Sequence, residues 1–223
     1  GCAPYTYAWS NGASSQDLSG LCAGSYTVTV TDHKGCTKTA TYEVGQPALL
    51  TVEVTPTNPL CYGETGSASA LANGGTPSYH YLWSNGQTDS IINGLTAGNY
   101  TVTVHDANNC SVSTSVTVAQ PDELLLIATV TNVSCYGANN GAIDLTASGG
   151  TSAYSYDWGS GITSQNRANL AAASYTATVM DAHNCTAATS AAVTQPLAAL
   201  SVSAAVTNVS CFGENNGAID LTT

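Results

Sequence analysis

The sequence predicts an all-β fold: tandem immunoglobulin-like β-sandwich modules of about 75 residues forming an extended array or filament. Three observations carry that expectation. The chain repeats itself, since YTYAWSNG from Tyr5 returns as YHYLWSNG from Tyr79 and as YSYDWGSG from Tyr154. Hydrophobic alternation, as in SYTVTVTD (25–32) and NYTVTVHD (99–106), occurs without any helical period. Gly, Asn and Asp interrupt these β-branched runs roughly every 8–12 residues, the turn spacing of an antiparallel sandwich.

The repeat sets the modules, each of which contacts mainly its neighbours. Residues 1–46 read as an incomplete module lacking its first strands, and residues 47–120 and 121–195 as complete modules. Residues 196–223 read as the first strands of a further module, completing residues 1–46 of the next copy. Gln46-Pro47, Gln120-Pro121 and Gln195-Pro196 mark the junctions, where Pro removes a backbone donor and stiffens the chain. Writing Thr223 before Gly1 aligns Leu221, Thr222, Thr223, Gly1 and Cys2 with residues 71–75, a join expected to leave no gap. Two readings stay open: a window on a longer continuous array, or a subunit whose tail adds strands to the next subunit's open sheet.

Within the second module, strands are expected near 50–56, 66–72, 78–84, 89–93, 99–105 and 111–119. Tyr100, following Ala97 and Gly98 at the entry to an alternating strand, resembles a tyrosine corner, with Tyr26 and Tyr175 in the same place. Ala173 stands where Gly98 does, so a different turn geometry is expected in the third module.

Composition narrows the function classes. Three Lys and Arg residues stand against 14 acidic ones, which argues against nucleic acid as a partner. Eight cysteines without a CxxC pair point to an oxidising compartment and to disulfides rather than metal. Modules this small bury limited surface and need a covalent staple or a neighbour. No long apolar run suggests direct membrane insertion of this segment.

Tyr79, Tyr81 and Trp83 alternate along one strand and share a face, as do Tyr5, Tyr7 and Trp9, and Tyr154, Tyr156 and Trp158. With Tyr100 and Tyr175 they are read as core aromatics; an exposed stripe would instead stack on sugars. Asp32, Asp106 and Asp181 each end the long strand before a turn and a Cys. Bonding their own turns is the favoured reading, and calcium between modules the sharper one; no cofactor is otherwise expected. His33, His80, His105 and His183 sit at different offsets, so no catalytic arrangement recurs and no enzyme is read.

The cysteines carry the strongest chemistry. Cys61 with Cys110 and Cys135 with Cys185 are expected to pair within modules, both members of each pair lying at one end of the sandwich. Cys36 would then need Cys211 of a neighbouring copy. The alternative staples the junctions as Cys36–Cys61, Cys110–Cys135 and Cys185–Cys211, and spacing does not decide between them. Cys2 and Cys22, at positions filled by Gly75 and Thr96 in the second module, suggest a private bridge. Asn99, Asn132 and Asn208, with Asn109 and Asn184, stand in N-x-S/T sequons, and Asp89-Ser90-Ile91 matches a bacterial O-glycosylation pattern at Ser90.

Taken together, Cys-x-Gly, Gly-Gly, Tyr-x-Tyr-x-Trp-Ser-Asn-Gly, Leu-x-Ala-Gly-x-Tyr-Thr-Val-Thr-Val and Asp-x-x-x-Cys resemble the SprB repeat of very large surface adhesins in Bacteroidota. The resemblance implies a secreted cell-surface protein, of the kind moved along the cell in gliding motility, whose repeats space an adhesive tip from the cell. The expected role is therefore a structural and adhesive stalk or fibre, with further copies of itself, head to tail, and surface glycans as partners. Alternatives are a pilus-like subunit polymerised by donor-strand exchange and a carbohydrate-binding appendage of a secreted enzyme. Isopeptide cross-links are not expected, because Lys34 and Lys38 have no counterparts in the other modules.

Overall fold

A computed structural model describes all 223 residues as seventeen β-strands and no helix. The first module contributes β1 (Thr6–Trp9), β2 (Gly24–Thr31) and β3 (Thr37–Val44). The second has β4 (Thr51–Thr57), β5 (Gly66–Asn73), β6 (His80–Trp83), β7 (Ile91–Leu95), β8 (Gly98–His105) and β9 (Ser111–Val118). The third repeats them as β10 (Leu125–Thr131), β11 (Gly141–Ser148), β12 (Ser155–Asp157), β13 (Arg167–Leu170), β14 (Ala173–Met180) and β15 (Thr186–Val193). The tail is the hairpin β16 (Ser203–Thr207) and β17 (Ala218–Thr222). Contacts cluster into two compact units: Gly1–Thr55 with Ser69–Ile92 and Tyr100–Val116, and Pro56–Ala68 with Asn93–Asn99 and Thr117–Thr223.

Each complete module forms two three-stranded sheets, β4-β5-β7 with β6-β8-β9 and β10-β11-β13 with β12-β14-β15. In immunoglobulin terms these are strands A, B and E against C, F and G, without strand D. The first module has only the second kind of sheet, β1-β2-β3, and the tail only the first two strands of the other kind.

The third module shows how the sandwich closes. Ile143, Leu145 and Leu170 from one sheet, with Val133 just beyond β10, meet Ala177, Ala191 and Val193 from the other, with Tyr156, Trp158 and Tyr175 packed against them. Alternation along β11 and β14 puts these side chains on the inner faces, and their burial supplies the favourable hydrophobic term. The second module distributes volume differently. Ala68 and Ala70 stand where the third has Ile143 and Leu145, whereas Ile92, 1% exposed, stands where the third has Arg167. That arginine lies over the rings of Trp158 and Tyr175, 5.5 and 5.1 Å from their centroids, a cation–π placement that tolerates a charge at this inward position.

Omitting strand D decides where the turns lie. The connection from β12 to β13 returns along the module, so β13 runs in the same sense as β12 and the order is not simply up and down. Hydrogen bonds locate the two ends. The Cys135 turn, between β10 and β11, sits beside the end of β15, with Gly137 N–H donating to Gln195 Oε1 at 2.8 Å. The Cys185 turn, between β14 and β15, sits beside the start of β12, through Thr151 N–H to Asp181 Oδ2 at 2.8 Å. Cys135 and Cys185 are therefore at opposite ends, which corrects the expected pairing within a module.

Tyr26 and Tyr175 form tyrosine corners, each hydroxyl donating to the carbonyl four residues upstream, Cys22 O and Ala171 O, at 3.0 Å. Gly98 does not have a positive φ, so Ala173 fits the same turn and the expected difference in geometry does not arise.

Candidate functional site

One carboxylate organises the incoming end of each module: Asp32 in the first, Asp106 in the second and Asp181 in the third. Asp106, 2% exposed, accepts Asn108 and Cys110 N–H on Oδ1 and Thr76 N–H on Oδ2, all at 2.9 Å. Asp181 repeats this with His183, Cys185 and Thr151, and Asp32 with Lys34, Cys36 and Cys2. One oxygen closes the local turn, as the sequence suggested. The other ties that turn to the start of the Tyr/Trp strand, a contact the sequence did not reveal. The amides lower the pKa of Asp106, led by Thr76, and of Asp32, led by Cys2. At Asp181 burial pushes upward, but the Thr151, Cys185 and His183 amides outweigh it and the net shift is downward.

These bonds also fix the repeat register. Cys2 occupies the position of Thr76 and Thr151, not that of Gly75. On the tail, Val206 faces Ile219 as Val130 faces Ile143, so Leu221 matches Leu145 and Ala70 rather than Leu71. The counterparts of Ser148-Gly149 fall between Thr223 and Gly1, and the join expected without a gap is two residues short. That Gly is sterically required. Gly149 has φ +74°, and a Cβ there would run into the carbonyl oxygen of Glu123.

The aromatic stripe is anchored by polar handles. Trp83 is 2% exposed and its Nε1–H donates to Asp89 O at 2.9 Å; Trp158 and Trp9 bond Ser164 O and Ser15 O likewise. Tyr79 and Tyr154 donate to Gly74 O and Gly149 O, and together with Tyr81 and Tyr156 they are half-buried. The sequon residues Asn99, Asn132 and Asn208 are exposed, as is Ser90, whose carbonyl accepts Ala70 N–H. Asn132 already uses Oδ1 to accept Thr194 N–H at 2.9 Å.

The junction between the second and third modules carries the disulfide. Cys61, in the β4–β5 turn, bonds Cys185, in the β14–β15 turn of the following module, with the Cα atoms 5.6 Å apart. Neither the pairing within modules nor the alternative across the Gln-Pro dipeptides contains this bond. Cys2, Cys22, Cys36, Cys110, Cys135 and Cys211 are free and exposed. A Cys2–Cys22 bridge is excluded by geometry. Cys22 precedes β2 while Cys2 is bound at the carboxylate following it, so an eight-residue strand of roughly 26 Å separates them.

Around the bridge, Tyr62 and Glu64 lie in a cleft of about 450 Å³ walled by Asp122, Leu124, Gly150 and Thr186. Gln120 Oε1 accepts Gly63 N–H at 3.0 Å, and Asn58 Oδ1 accepts Ala119 N–H at 2.9 Å, holding the Cys61 turn against the departing strand. Gln195 and Asn132 repeat both bonds. Sequence reasoning noticed the Pro of each junction and missed these polar partners. Their signal was available: a Gln before each junction Pro and an Asn three residues before each turn Cys.

Residues 54–88, 127–163 and 203–223 match the SprB repeat. No curated protein sequence matches the chain. Among solved structures, the N-terminal eight immunoglobulin domains of Down Syndrome Cell Adhesion Molecule align over 78% of this chain at 12% identity and a TM-score of 0.44. The chain spans 28% of that protein's length. An amphioxus IgVJ-C2 molecule aligns over 53% of this chain and 90% of its own at 16% identity and a TM-score of 0.28. A chain of the Dpr2 and DIP-Theta complex covers 87% and 90% at 10% identity and 0.31. These likenesses concern the fold alone. The three matched segments coincide with the A-to-C strands of the two complete modules and with the tail hairpin, and the chain carries SprB repeats in these segments.

Proposed function

We propose that the protein is a non-enzymatic spacer of a bacterial cell-surface adhesin, of the type displayed by gliding Bacteroidota, and that its modules transmit tension from cell to adhesive tip. The observation that carries this is the bond from Cys61 to Cys185, which staples one module to the next. A tether gains from such a bond, because force bypasses the residues it encloses. Pulling the chain from its ends tests the idea. The enclosed separation is 124 residues, so full unfolding under oxidising conditions should fall short of the reduced length by about 430 Å. Equal lengths in both buffers would remove the mechanical role. The low charge and sparse Lys and Arg suit an exposed extracellular surface. Burial of Trp83 weighs against sugar stacking on that stripe.

A further inference from the structure

The third module departs from the second on the side where strand D is missing. In the second module the backbone closes that side. Ser90 O accepts Ala70 N–H at 2.8 Å, and Ile92 fills the inward position near the buried Trp83. In the third module side chains replace this backbone bond. Asn166 Oδ1 accepts Leu145 N–H at 3.0 Å, and Gln165 Nε2 donates to Leu145 O at 2.6 Å. Two amide side chains thus stand between the loop and β11, and Trp158 is half-buried where Trp83 is sealed.

Arg167 sits in the mouth formed there. It is the only arginine of the chain and the one fixed cation between residues 47 and 195. Its guanidinium lies over the Trp158 and Tyr175 rings, while no carboxylate or carbonyl accepts its N–H groups and none of its nitrogens is sealed from solvent. Ring contact accounts for the position of the guanidinium and uses its face. It leaves unspent the planar N–H fork, whose geometry matches a carboxylate. Gln165 Oε1 and Asn166 Nδ2, the amide atoms not bonded to Leu145, add an acceptor and a donor suited to hydroxyls. The half-buried indole adds apolar surface against which pyranose C–H groups can pack. A cationic fork, two neutral amides and an aromatic ring together match a carboxylate-bearing sugar more fully than an acidic peptide, which brings no hydroxyls to the amides.

We propose that this mouth of the third module binds a uronate residue of a glycan. The carboxylate is held by the Arg167 fork, the hydroxyls by Gln165 and Asn166, and the ring C–H groups lie against Trp158. The second module, with Ile92 and a closed backbone, holds no such site. An ion pair open to solvent is weak, so a Kd on the order of 1 mM is expected, rising with salt. The site adds binding to a module that the spacer role leaves without it, and its failure would leave that role intact.

Titration of the nitrogen-15-labelled 223-residue protein with oligogalacturonate, followed by NMR, tests this. The single arginine gives one Nε–H resonance, and the Trp83 indole serves as an internal control. The expected result is a saturable shift of Arg167 Nε–H and Trp158 Nε1–H with Trp83 unmoved, and no shift with a neutral galactose oligomer. Arg167→Ile installs the residue type of the second module and should weaken binding at least about tenfold without unfolding the protein. Arg167→Lys keeps the charge, loses the fork and should also weaken binding about tenfold, so it decides the matter if the isoleucine variant does not fold. Unmoved Arg167 and Trp158 resonances, an equal response to the neutral oligomer, or undiminished binding in Arg167→Lys would overturn the proposal. An equal response to a hexapeptide of glutamate would overturn the sugar and leave only an anion site.

Discussion

At the scale of single residues, the buried aspartates link turn chemistry to strand placement. Asp106 satisfies three backbone donors that would otherwise be stranded between β6 and the β8–β9 turn. Asp106→Asn would present an amide N–H to one of those donors, so a lower Tm and a flatter acid limb of the stability curve are expected by circular dichroism. The sign follows from the lowered pKa of Asp32, Asp106 and Asp181. Their stabilisation is complete above the ordinary carboxylate pKa of about 3.9 and is lost as pH falls through the lower folded values. Gly149→Ala should cost about 2 kcal/mol or more in urea unfolding, from a positive φ and a backbone clash together. The strand-ending Asp and its turn were legible from spacing. The partner amide thirty residues away was not, because nothing in a local pattern says which strand start will lie beside it.

At the scale of elements, the six strands of the second module fall within about two residues of where alternation and turn residues placed them. Strand existence is legible because side-chain alternation has a period of two. Strand direction is not. One absent strand reverses β7 relative to a simple meander and moves the β8–β9 turn to the far end of the sandwich, and this is why the cysteine pairing read from spacing fails. Cys61→Ser should lower stability by about 2–4 kcal/mol, as expected when a large closed loop is released from the denatured ensemble. Chemical denaturation of the variant beside the reduced parent checks this, and the two should agree within about 0.5 kcal/mol.

At the scale of the whole molecule, repetition replaces a single large core. Within each complete module a Gln and an Asn oxygen hold the first turn against the last strand, and the Cys61–Cys185 bridge joins the second module to the third. Stability in such arrays is a sum of module and neighbour terms. Completing residues 1–46 should therefore raise the stability of that region without altering the others. A tandem fusion with Ser-Gly between Thr223 and Gly1, restoring the counterparts of Ser148-Gly149, should bury Trp9, with a blue-shifted tryptophan emission relative to the single copy. Direct fusion without the two residues should not reproduce the shift, because the chain could not reach from β17 to β1 through the left-handed turn. Equal spectra for both fusions would disprove the register assigned here.

By itself the sequence determined the period, the strand positions, the tyrosine corners and the resemblance to SprB repeats, because each is written in spacings shorter than a module. Only the tertiary structure decided which turns share an end, and hence that Cys61 meets Cys185 rather than Cys110. Pairing depends on the parity of strand directions and on the packing of one module against the next. A chain with eight cysteines carries no local signal for either.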